Sequence, residues 1–289
     1  MSESFDRKVA ALARDHRSSS TSISLQLLDA VEKYLSHLPR AGWKKGARHL
    51  ASQVHRLASA QSSMPQIGAI GKKVLEAVAG EPEEGSGPKE SAVARLNELK
   101  TAIVESRQKV AGNLPSLLRV HSTVLTLSYS SEVLEGLTMA HRLGRVGLVI
   151  VSESLPGGEG VALSRELQRR GIAILLVPDT DLAGAASLAD MSIVGADSVD
   201  VSGTVTSKVG SRSLAVACKE NAKPFYVTCS SFKIVSGRGR TAEENPLFES
   251  TESTLVSGYV TEEGVLTPSQ FRRLRFRSRA RRHSRGRGA

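Results

Sequence analysis

The chain has 289 residues, 40% of them apolar, which is enough for one large domain or two modest ones around an ordinary core and argues against a wholly disordered chain. No window approaches the roughly 18 uninterrupted apolar residues of a membrane span, and the opening MSESFDRKVAALARDHR is charged where a secretory signal would be apolar, so the cytoplasm is the expected compartment. The net charge of +10 sits in one place: nine arginines and no acid fall within 272–289, leaving the rest of the chain at about +1.

In chain order, the first part is helical in pattern. SISLQLLDAVEKYLSHL (22–38) sets Ile23, Leu25, Leu28, Val31 and Leu35 on helical spacing after a Ser/Thr-rich start, WKKGARHLASQVHRLASA (43–60) continues likewise, and PQIGAIGKKVLEAVAG adds a shorter helix. GEPEEGSGPKES (80–91) concentrates Gly, Pro, Ser and acid and reads as a loop, followed by a long amphipathic helix over 91–112. These pieces predict an all-helical N-terminal domain over 1–115.

From Ser122 the period changes. Short β-branched apolar runs stand at VLTLSY (124–129), VGLVIVSES (146–154), IAILLVP (172–178), MSIVGAD (191–197) and KPFYVTCS (223–230), with helical stretches between neighbours. Strands alternating with helices predict a doubly wound parallel sheet, an α/β domain over 116–270. Ligands of such sheets sit beyond the carboxyl ends of the strands, which nominates Ser128, Tyr129, Ser130, Glu153, Ser154, Asp179, Asp181, Asp197, Ser230 and Ser231. VGADSVDVSGTVTSKVG (194–210) stands out, because its apolar run ends in Asp197 and its Gly/Ser/Thr loop carries Lys208 into an expected helix, SKVGSRSLAVACKENA. There Gly210 would let an anion approach the helix start, and the lysine would add a point charge. The alternative role for Asp197 is a turn-forming acid bonded to the amides of Ser202 or Gly203. GGEG (157–160) lacks the spacing of a nucleotide-binding fingerprint. Cys218 and Cys229 read as ordinary buried thiols, and nothing in the sequence calls for a metal or other cofactor. The segment 271–289 is expected to be a disordered, arginine-rich tail able to hold RNA or the ribosome through phosphate contacts, or simply to solubilise.

The order and spacing of HSTVLTLSYSSEVLEGL, VIVSESLPGGEG, IVGADSVDVSGTVTSKVGSRSLAVACKENAKPFYVTCSSFKI and NPLFESTESTLVSGYVTEEGVLTP resemble the translation initiation factor 2B alpha/beta/delta family, which also contains the methylthioribose-1-phosphate and ribose-1,5-bisphosphate isomerases. The resemblance covers about 95–268 and implies a helical N-terminal domain joined to a Rossmann-like domain that dimerises. In the isomerases a cysteine on the first strand end and the aspartate of Gly-Ala-Asp move a proton between neighbouring sugar carbons. This sequence keeps the aspartate as Asp197 but has Ser128 for the cysteine, Leu127 for the preceding histidine, Leu155 for a phosphate-binding arginine beside Glu153, and Ser207 for the asparagine before Lys208. A serine hydroxyl is a far weaker acid than a thiol, and leucine cannot replace a guanidinium. Arg40, in PRAGWKKGARHLA, weakly matches an Arg-Gly-Ala phosphate loop, and Glu262 would face a partner subunit. The departures resemble the regulatory beta and delta subunits, so the resemblance implies a non-catalytic regulatory subunit. It would be a homodimer or a hetero-oligomer with related subunits, and would meet the alpha subunit of initiation factor 2. Its ligand would be a sugar phosphate or nucleotide held by Ser128, Glu153, Asp197, Ser207, Lys208, Gly210 and Arg40. If the chain is an enzyme instead, it is a sugar-phosphate isomerase working through Asp197 and Ser128.

Overall fold

Apolar side chains on helical spacing build the first helices in the computed structural model, which describes residues 2–15, 18–82, 84–235 and 245–273. The chain divides into two compact units, Met1–Ser106 and Arg107–Ala289. The first contains α1 (Ser2–Ala13), α2 (Ser20–Ser36), α3 (Trp43–Ala60), α4 (Pro65–Ala79) and most of α5 (Pro88–Asn113). The side chain of Ser19 caps α2 by accepting from the Ser22 amide at 3.2 Å, and Pro65 opens α4 where a missing amide hydrogen costs nothing. Val9, Leu12, Ile23, Leu27, Val31, Leu50, Val54 and Ile70 are buried among these helices. Each contributes about 1.5–3 kcal/mol of the hydrophobic stabilisation if large and fully buried. The three predicted helices and the long fourth are present. α1 was not foreseen, because its apolar positions Phe5, Val9 and Leu12 are spread thinly among charges.

The second unit carries β1 (Ser122–Thr126), α6 (Ser131–Arg142), β2 (Val146–Ser152), α7 (Glu159–Arg169), β3 (Ile174–Val177), α8 (Leu182–Leu188), β4 (Met191–Gly195), β5 (Ser198–Val199), β6 (Val205–Lys208), α9 (Ser211–Glu220), β7 (Phe225–Thr228), β8 (Phe248–Thr251), β9 (Gly258–Thr261) and β10 (Gly264–Leu266). The main sheet runs β10-β9-β7-β4-β1-β2-β3, parallel except for the β9/β10 hairpin. Its order reverses between β1 and β4, the switch point at which a doubly wound sheet opens a crevice at its carboxyl ends. Successive residues along each strand enter opposite layers. Val124, Val149, Val151 and Ile193 pack with α6 and α7, whereas Leu125, Ile150 and Val194 pack with α8 and α9. The α/β class inferred from the five apolar runs is the fold observed.

Two local expectations are corrected. Val205–Lys208 is a strand rather than a loop: β6 pairs antiparallel with β5 and β8 in a second, three-stranded sheet. Lys208 therefore ends a strand and does not open a helix, since α9 starts only at Ser211 after Gly210 in the left-handed conformation (φ +98°). The β-branched pair Val205 and Thr206, with partners on both sides, outweighs the Gly/Ser/Thr character of the segment. Residues 268–273 form a helical turn whose Phe271 is buried and stacked on Tyr259 at 4.3 Å; the rest of the arginine-rich segment, 274–289, lies outside the described residues.

Candidate functional site

Beyond β1 and β2 the backbone is strained. Ser128 and Ser154 have φ of +60° and +59°, in the left-handed region that non-glycine residues rarely adopt. Holding each there costs on the order of 1–2 kcal/mol. The two are tied together, because the Ser128 amide donates to Ser154 Oγ at 2.6 Å. Asp179, just past β3, clamps this turn. Its carboxylate accepts from the amides of Ser154 (2.8 Å) and Leu155 (2.7 Å) and from the Ser152 hydroxyl. The Glu153 amide is spent on the Val177 carbonyl oxygen at 3.0 Å. Asp179 is thus a positioning residue that fixes where Ser128 and Ser154 stand. Leu155 next to it points outward, 56% exposed.

Two buried ion pairs form the floor. Ser130 caps α6 through the Val133 amide and donates to Glu132 Oε2 at 3.0 Å. Glu132, fully buried, holds its other oxygen 2.8 Å from Lys233 Nζ, in the turn after β7. Burial alone would raise the Glu132 carboxyl and lower the Lys233 ammonium, but their mutual attraction outweighs it, so Glu132 lies below the ordinary carboxylate range and Lys233 above the ordinary lysine. The second pair joins Lys208 Nζ to Glu159 Oε1 at 2.7 Å, with both side chains 6% exposed. Glu159 is the first residue of α7, and its Oε2 is buried without a hydrogen-bond partner among the described residues.

Asp197 feels the charges of both pairs and is bonded to neither. Its amide donates to the Thr206 carbonyl oxygen at 2.9 Å, and among the described residues no hydrogen bond reaches its carboxylate. Burial pushes that carboxyl up to about 6; Lys233 and Lys208 pull it down, while Glu132 and Glu159 push it up. The turn-forming role considered for Asp197 is performed by Asp200. One Asp200 oxygen accepts from the Ser202 amide (2.8 Å), the Ser202 hydroxyl (2.7 Å) and the Thr204 amide (3.0 Å). Asp197 is thereby left to the site.

Of the residues nominated from sequence, Lys208 and Asp197 share an electrostatic neighbourhood, while Ser128, Ser154 and Asp179 form one hydrogen-bonded turn. Ser207 is buried with a hydroxyl unpartnered among the described residues, and Gly210 supplies the turn into α9. Arg40 lies in the other unit, in a short turn (Arg40–Gly42), and its side chain is outside what the structure describes. Glu262 accepts from the Ser231 amide at 2.8 Å. Sequence reasoning missed Glu132, Lys233 and Glu159. Glu132 and Lys233 stand two positions from the nominated Ser130 and Ser231, and Glu159 lies within GGEG, yet the partner of each is far away in the chain, and only the fold joins them. Among the described residues no cluster of His, Cys, Asp and Glu could hold a metal ion, and no helix is long and apolar enough to cross a membrane.

A doubly wound sheet with an acid and two paired lysines past its carboxyl ends defines an α/β protein whose crevice lies at the switch point of the sheet. Comparison with known proteins narrows this. The chain belongs to the initiation factor 2 subunit family (IF-2B), whose family model matches residues 16–244. It is 33% identical over 188 residues to an eIF-2B subunit 2-like protein of Pyrococcus furiosus, covering 60% of this chain and 68% of that one. It is also 33% identical over 175 residues to the methylthioribose-1-phosphate isomerase of Gemmatimonas aurantiaca, covering 53% of this chain and 51% of the enzyme. The solved eIF-2B of Pyrococcus horikoshii OT3 shares the fold with a TM-score of 0.80 at 23% identity, covering 92% of this chain and 98% of that one.

Proposed function

We propose that the chain is a non-catalytic, regulatory subunit of the initiation factor 2B type in translation initiation, acting as a homodimer or in a hetero-oligomer with related subunits and meeting the alpha subunit of initiation factor 2. The observation that carries this reading is the consumption of the site's cations by its own acids. Lys208 is held by Glu159 and Lys233 by Glu132, both buried, so neither ammonium is presented to a substrate phosphate. At Ser128 the first strand ends in a hydroxyl with no base bonded to it among the described residues, where proton transfer from sugar carbon needs a thiol or a comparable acid. Mixing the purified chain with the alpha subunit of initiation factor 2 and with related subunits, followed by native mass spectrometry, tests it. Stable complexes are expected, and no association at micromolar concentrations would overturn it.

One observation favours a second reading, a sugar-phosphate isomerase. A carboxyl titrating at about 6 is poised for proton shuttling at neutral pH, and Asp197 is such a group. Incubation with ribose-1,5-bisphosphate or methylthioribose-1-phosphate discriminates between the two: turnover that disappears in Asp197→Asn would establish the isomerase, and its absence leaves the regulatory reading.

A further inference from the structure

We propose that Glu159 is a built-in anion that occupies the place of a phosphate on Lys208, so that the switch-point site discriminates against phosphorylated ligands. This deepens the reading above by naming a specificity determinant of the same site. It rests on that reading only for the absence of turnover.

The argument begins with the lysine. Lys208 is buried at the end of β6, where an unpaired ammonium would be untenable, and its acceptor is Glu159 Oε1 at 2.7 Å. A carboxylate buried only to neutralise a lysine would ordinarily have both oxygens satisfied by donors. Here Oε2 is sequestered with no hydrogen-bond partner among the described residues, so the carboxylate is held through the lysine it neutralises. The backbone is shaped around this carboxylate. A Cβ at Gly157 would stand 2.3 Å from Glu159 Oε1 and 2.7 Å from Oε2, so glycine is the residue that leaves the acid its room, and Gly158 turns the chain into α7 at φ +69°.

The charge balance points the same way. Asp197, Glu132 and Glu159 face Lys208 and Lys233, three acids against two ammonium groups, and all four others act on Asp197. With Asp197 ionised the site is net negative before any ligand arrives. A phosphate would have to displace Glu159 from Lys208 or lie against its charge, and either route forfeits what the lysine offers.

Glu159→Gln removes the charge, keeps the shape and strips Lys208 of its buried counter-ion, so that a bound anion becomes the group able to neutralise it. The double variant Glu159→Gln/Lys208→Met removes both charges and serves as the reference, because a neutral pair of similar volume leaves no buried ion unpaired. The probes are inorganic phosphate and ribose-1,5-bisphosphate, titrated calorimetrically into the full chain at fixed salt. The arginines of 272–289 contribute equally to every variant and cancel in the comparison. Wild type and double variant are expected to bind equally weakly, and Glu159→Gln at least about tenfold more tightly than either, a difference of about 1.4 kcal/mol. Phosphate should also raise the melting temperature of Glu159→Gln selectively. Wild type binding phosphate more tightly than the double variant would overturn the proposal, as would a Glu159→Gln variant with no gain. Should Glu159→Gln fail to fold, the comparison of wild type with the double variant still decides. Phosphate binding by the wild type tighter than by the double variant, without isomerisation, would overturn this inference alone, whereas turnover would overturn the non-catalytic reading as well.

Discussion

Asp197 is the acid of the site without a cation of its own, and that isolation gives it a measurable signature. Its carboxyl is raised from an ordinary 3.8 to about 6, chiefly by burial. A raised acid favours the folded state in its protonated form, so its contribution is fully present below 3.8 and is lost as pH climbs through about 6. Asp197→Asn lacks this titration. Urea denaturation should show the variant more stable than wild type at pH 8, by on the order of 2 kcal/mol after discounting for partial exposure. The two should converge near pH 4. An unchanged difference across that range would mean that burial is not what raises Asp197. Lys208 and Lys233 oppose the effect and Glu132 and Glu159 add to it, so all four belong to the interpretation. Glu132 carries the opposite sign: held low by Lys233, it contributes stability that fades as pH falls below its ordinary 4.5. Glu132→Gln strands a buried ammonium and is expected to cost about 3–5 kcal/mol, while adding Lys233→Met should restore most of the loss. A double-mutant cycle in urea checks this, and additive losses would show that the pair is not coupled.

At the level of elements, the site depends on how closely α7 approaches β2. A Cβ at Gly160 would lie 1.7 Å from the Ser152 carbonyl oxygen and 3.0 Å from Ser154 Oγ, so the first turn of α7 rests directly on the strand end. Gly160→Ala must push the helix away, carrying Glu159 with it. A loss of about 3 kcal/mol is expected by thermal or urea unfolding, with Lys208 becoming accessible to amine-modifying reagents. A variant as stable as wild type would show that the approach is looser than this. The same scale explains what could be read in advance. β1, β2, β3, β4 and β7 are visible because a parallel strand covered on both faces must be a near-continuous apolar run. The second sheet is not, since SV, VTSK and FEST are two to four residues long, seven of their ten residues hydroxyl-bearing or charged, and β6 meets β8 across a long intervening stretch. The aspartate at the end of β4 was legible from strand position alone. The pairing of Lys208 with Glu159 was not, because an ion pair joining residues 49 apart leaves no local period. The strain at Ser128 and Ser154 was equally hidden, as serine carries no signature of a positive φ and the clamp that imposes it is Asp179 on another strand end.

Over the whole molecule, charge is divided in a way that separates two kinds of contact with phosphate. The switch-point site carries three acids against two lysines, whereas 272–289 carries nine arginines and no acid. Any attraction of the intact chain for a polyanion should therefore reside in the terminal arginines and be blind to the site. Removing 274–289 deletes seven of these arginines and lowers the net charge from +10 to about +3, while sparing Phe271, whose ring is buried against Tyr259. The truncated chain is expected to unfold at the same temperature as the full chain, because the packed helical turn survives. On single-stranded RNA of arbitrary sequence, each arginine that neutralises a phosphate contributes about 0.7 to the slope of log affinity against log salt. The truncation should then flatten that slope by up to about 5 if all seven engage. Glu159→Gln, which changes a buried charge near Lys208, should leave the slope where it was. A full chain whose RNA affinity survives truncation, or moves with Glu159, would mean that the folded unit itself meets the polymer, and the division of charge would lose its functional meaning.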